Sequence, residues 1–81
     1  MDNEYSLHYC NSHTLLMVNT QGLIRTLYTP FRVQCLKDIE HIPENTTVYV
    51  EEIFSNARDE LLYMVLGKVY PHTAFHLISN F

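Results

Sequence analysis

Glycine is almost absent from this chain: Gly22 and Gly67 are the only two in 81 residues. A phosphate-cradling loop needs several glycines close together, so nucleotide binding of that kind is excluded. Tryptophan is missing, and proline occurs only at Pro30, Pro43 and Pro71. Basic residues are equally sparse. Arg25, Arg32, Lys37, Arg58 and Lys68 are dispersed, and nine acids leave a formal charge of −4. Nucleic-acid affinity comes largely from clustered positive charge displacing counterions, so nucleic acid is a disfavoured partner. The acid pairs Glu51-Glu52 and Asp59-Glu60 read as solvated faces or turns.

The two cysteines, Cys10 and Cys35, lack the Cys-x-x-Cys spacing of zinc ribbons and redox motifs. The opening MDNEYSLHYC carries acids where a secretory leader carries bases, and no apolar run is long enough for a membrane span. The chain therefore reads as cytoplasmic, with no membrane partner and with both cysteines as reduced, buried thiols. No serine lies in Gly-x-Ser-x-Gly. Cys10 is near His8 and His13 in sequence, which says little about pairing in space. The expectation is a protein that is not an enzyme and requires no cofactor.

What the sequence does have is apolar content and alternation. Hydrophobic residues make up 47% of it, too many for a disordered chain. In YSLHYC, Tyr5, Leu7 and Tyr9 alternate with Ser6 and His8; in FRVQC, Phe31, Val33 and Cys35 alternate with Arg32 and Gln34. Val48 and Val50 share a face, and Ile53 falls out of phase unless a bulge intervenes at Glu51-Glu52. Phe75 and Leu77 flank His76. Such period-two patterning predicts antiparallel strands with one wet face. Breaks at NTQG (19–22), YTP (28–30) and IPENT (42–46) supply the turns.

Two segments resist. LKDIEHI (36–42) spaces Leu36, Ile39 and Ile42 three apart, which predicts a short helical turn after FRVQC. SNARDELLYMVLG (55–67) fits either of two structures. Ala57, Leu61, Met64 and Val65 make a helical stripe, yet LLYMVL also suits a strand apolar on both faces, with SNARDE as the preceding loop. The strand reading prevails because three β-like pieces then follow in series, with Gly67 loosening a strand and a turn at Pro71-His72. The alternative is an α+β fold with a helix at 55–66.

The predicted fold is mainly β: one domain over 1–81, with five or six short antiparallel strands, one helical turn and an extra N-terminal hairpin. From about residue 30 to 77, the order of TPFRVQCL, IPENTTVYVEEI, ELLYMVLGKVYP and AFHLI resembles an SH3-like small barrel. The resemblance rests on hydrophobic spacing and on the PENTTVYV step (43–50) from turn to strand. It implies a fold and no particular function.

Three groups of residues are candidates for chemistry. Tyr49, opposite Val48 and Val50, and Tyr70, beside Pro71, are expected to be exposed, and with His72 they form a candidate peptide-binding surface. His8, His72 and His76 are candidate ligands for a metal or a small molecule, provided strand ends converge. On one strand, residues four apart lie about 13 Å apart, too far to share an ion. The third candidate is the surface of the chain itself. TLLMV and LLYMVL are apolar on both faces, and a short domain covers such faces by pairing with a protein partner, a second copy included. The N-terminal hairpin is the expected dimer interface. An RNA-binding barrel ranks below these readings, because aromatic stacking surfaces need accompanying bases.

Overall fold

The computed structural model describes residues 5–78. Within it nine strands and one 3-10 turn follow in order: β1 Tyr5–Asn11, β2 Thr14–Asn19, β3 Ile24–Tyr28, β4 Phe31–Cys35, β5 Thr47–Val50, β6 Glu52–Ser55, β7 Leu61–Val65, β8 Lys68–Pro71, the turn His72–Ala74, and β9 Phe75–Leu77. They form three antiparallel three-stranded sheets, ordered β1-β2-β3, β5-β4-β9 and β6-β7-β8. The mainly β class is as expected, with the 55–67 segment as strand β7 and its flanking turns.

The strand count exceeds the expected five or six for three local reasons. The N-terminal region is a three-stranded meander: the hairpin expected across Asn19–Gly22 forms as β2 and β3, and β1 adds to it through the turn between Asn11 and Thr14. Leu66 and Gly67 both take positive φ, at 54° and 78°, and close a two-residue hairpin with Val65 opposite Lys68. Gly67 thus reverses the chain, where the sequence suggested only a loosened strand. Finally, the residue out of phase at Glu51 is where the chain leaves β4 for β7, its amide donating to the Met64 carbonyl at 2.8 Å. One bent segment so serves two sheets, and Val48, Val50 and Ile53 all remain buried.

The helical turn expected at 36–42 is absent. Ile39 and Ile42 exchange two backbone hydrogen bonds around Glu40-His41, making a tight bridge in which Ile42 is buried and Leu36 is exposed. Apolar spacing of three fits this reversal as well as it fits a helix. The 3-10 turn occurs instead at His72–Ala74, with Ala74 facing the core.

The core gathers Leu15 and Met17 from β2, Val33 and Cys35 from β4, Val50, Ile53, and Tyr63 and Val65 from β7. Tyr63 sits edge-on to Phe31, with ring centroids 5.6 Å apart, and tilted against Phe75 at 6.2 Å. The N-terminal sheet packs Tyr5, Leu7 and Leu27 against this cluster, and Ile53 donates its amide to the Ser12 carbonyl at 2.9 Å. Cys35 is buried as expected, its thiol donating to the Lys37 carbonyl at 2.8 Å. Cys10 is exposed, contrary to expectation, because no described residue covers the outer face of β1.

The loop before β7 is held by one side chain. Asn56 Oδ1 accepts from the amides of Arg58 and Glu60 at 2.9 and 3.0 Å, while Asp59 takes φ 61°. Asn56→Ala should therefore cost about 1 kcal/mol, read from urea unfolding. A change within error would mean that water replaces both bonds.

Candidate functional site

Tyr49, Tyr70 and His72 do not form one surface. Tyr49 lies on the outer face of β5 beside Arg32 and is 56% exposed, as alternation requires. Tyr70 is buried rather than at an exposed rim. Its ring meets Phe75 edge-on at 6.0 Å, and its hydroxyl donates to Glu40 Oε1 at 3.2 Å. Proline at 71 ends β8 without turning the Tyr70 side chain outward, because Tyr70 pairs with buried Tyr63 across β7-β8.

The three histidines do not converge either. His8 is on the outer face of β1, with Ser6 Oγ 3.0 Å from its Nε2. His76 faces outward from β9 opposite Gln34, between inward Phe75 and Leu77. Among the described residues no three His, Cys, Asp or Glu side chains are arranged to hold a metal. Ser6–His8 and Ser12–His13, the latter at 2.9 Å, juxtapose hydroxyl and imidazole at the surface. No hydrogen bond to a third described group orients either ring as nucleophilic catalysis requires.

His72 occupies a concave setting. Its Nδ1–H donates to the Leu61 carbonyl at 3.1 Å, so in the neutral ring Nε2 keeps its lone pair. Two clefts adjoin there. One, about 400 Å³, runs between β1 and β9 over Tyr5, Tyr63 and Leu77. The other, about 570 Å³, runs toward Asp59, Glu60, Leu61 and Pro71. Leu7, His72 and Thr73 line both. Burial, with the nearby Tyr5 phenol second, pushes the Tyr63 hydroxyl far above its ordinary value of 10.0, so it stays a neutral donor and acceptor. Of this lining, the sequence marks His72 alone as a candidate site residue. Tyr63 carried one available signal, a hydroxyl inside a run otherwise apolar on both faces.

Glu40 accepts two hydrogen bonds from side chains of β8. Lys68 Nζ donates to its Oε1 at 3.1 Å, beside the bond from Tyr70. The Lys68 and Tyr70 hydrogen bonds hold the Glu40 carboxyl below its ordinary 4.5. A lowered carboxylate value stabilises the fold above 4.5 and loses that contribution as pH falls through the folded-state value. Thermal unfolding should show this acid-side loss diminished in Glu40→Gln; because the group is exposed the difference is small, and an unchanged acid limb would show that the pair contributes nothing.

No known family model, curated protein or solved structure matches this chain. Among the described residues no helix is long and apolar enough to cross a membrane.

The other feature with functional content is β3. Among the described residues it is an edge strand, paired to β2 alone. Asn19 N–H donates to the Leu23 carbonyl and Thr29 N–H to the His13 carbonyl, both at 3.0 Å. These two bonds set the ladder's phase: odd-numbered residues of β3 bond to β2, and the N–H and C=O groups of Ile24, Thr26 and Tyr28 point away from it. Ile24 and Tyr28 are 65% and 68% exposed, on the same outer face as half-buried Leu16 and Val18 of β2.

Proposed function

We propose that this chain is a non-enzymatic protein-interaction domain, SH3-like over about residues 30–77, that self-associates as a two-fold homodimer through β3. The free edge carries the reading. An antiparallel copy centred on Thr26 pairs Ile24 with Tyr28 of the other copy, Arg25 with Leu27, and Thr26 with itself. No like charges face each other, and aromatic meets β-branched at both ends, a favourable cross-strand combination. About six backbone hydrogen bonds would join the two sheets.

The edge of β8 is less suited to this. The free edge of β8 includes Lys68 and Pro71, both of which discourage strand addition. β3 contains no proline, and its outer rungs are apolar. The interface is small, so a dissociation constant of about 10 μM is expected, at the weak end of specific association. The shared β5–β6 segment supports the SH3-like reading of the rest.

Sedimentation velocity from micromolar to submillimolar protein tests the proposal. The sedimentation coefficient should rise with concentration for the wild type and stay at the monomer value for Ile24→Lys, which alters an exposed side chain only. A wild type that remains monomeric throughout would refute it.

A further inference from the structure

Tyr63 is only 2% exposed, yet no hydrogen bond joins its hydroxyl to any described residue. No fully buried polar side-chain atom among those residues lacks a partner, so this hydroxyl opens into the cleft its ring lines. The same groove holds the free Nε2 of His72, whose ring is edge-on to Tyr63 at 6.3 Å. Beyond His72 its floor turns apolar at Leu61 and Pro71, and it ends at two carboxylates, Asp59 and Glu60. Among the described residues no lysine or arginine lines either cleft.

The geometry points to a binding site for a small primary amine on an aromatic or apolar stem. The ammonium sits at the Asp59–Glu60 end, where opposite charge favours it. The stem lies on Leu61 and Pro71, and a polar group at the far end reaches His72 Nε2 and the Tyr63 hydroxyl. An apolar trough with a few convergent polar groups is the usual form of a small-molecule site. A carboxylate-bearing ligand is disfavoured, because it would meet two acids and no base. The site is remote from β3 in sequence and rests on different observations from the dimer.

The test follows amide and side-chain NMR shifts of the full chain during titration with tyramine, and with the matching alcohol, which lacks the charge. Tyramine at millimolar concentration should shift Leu7, His72 and Thr73, and the alcohol should bind about fivefold more weakly. In Asp59→Asn/Glu60→Gln that preference for the amine should vanish. Both changes conserve local structure: asparagine tolerates the positive φ at 59, and glutamine keeps the acceptor that Glu60 Oε1 offers Asn56 at 2.7 Å. Tyr63→Phe should weaken tyramine binding about threefold, as expected for one lost hydrogen bond. No shift at these residues, or equal affinity for amine and alcohol in the wild type, would overturn the proposal.

Discussion

Replacing Tyr63 by alanine should remove most of the stability of the fold. This ring touches Phe31, Phe75 and His72, and so joins β4, β7, the 3-10 turn and β9. Truncating a buried aromatic costs about 3–5 kcal/mol through lost contacts and the cavity left behind. A domain of this size has only about 5 kcal/mol in total. Tyr63→Phe keeps the ring and should stay folded. It also has a distinct signature in base. A hydroxyl held above its ordinary 10.0 favours the folded state below that pH, and stability falls as pH rises beyond it. The phenylalanine variant should show a shallower alkaline decline in melting temperature; a residual slope remains, because burial also raises Tyr5 and Tyr70. A Tyr63→Ala variant with the urea midpoint of the wild type, followed by circular dichroism, would show that the core is not organised around this ring.

Proline at position 26 should weaken self-association more than tenfold while sparing the fold. The Thr26 amide points away from β2, so proline removes no bond within the sheet, and edge strands accept proline on their outward side. In a dimer the same change deletes the central pair of hydrogen bonds and places a ring between the strands. Association should weaken more than tenfold, the loss expected from about 1.4 kcal/mol or more. Leu27→Pro is the control with the opposite pattern. Its amide bonds to β2, so it should destabilise the monomer by about 2 kcal/mol. If Thr26→Pro sedimented like the wild type, β3 would not be the contact.

How much of this was legible in the sequence depended on whether a segment has one buried face. FRVQC and TTVYV each do, and the alternation placed Phe31, Val33, Cys35, Val48 and Val50 in the core correctly. LLYMVL is apolar throughout, so its period was ambiguous between helix and strand until its neighbours were considered. Leu66-Gly67 escaped notice because leucine seldom takes a positive φ, and the pair lacks the usual Asn-Gly or Asp-Gly turn signal. Tyr70 was misplaced for a different reason. A tyrosine beside proline reads as exposed, but here its partner across the ladder is Tyr63 and its hydroxyl is satisfied by Glu40, thirty residues earlier in sequence. The groove at His72 was invisible because it joins β1 to β7 and β9, distant segments with no shared pattern.

Amide hydrogen exchange on β3, compared at low and high protein concentration, tests the dimer most directly. Arg25 and Leu27, bonded to β2, should be protected at both. Ile24, Thr26 and Tyr28 should exchange freely in dilute solution and become protected as concentration rises. Rapid exchange at those three positions at every concentration would mean that the strand's outward groups find no partner, and the proposed self-association would be wrong.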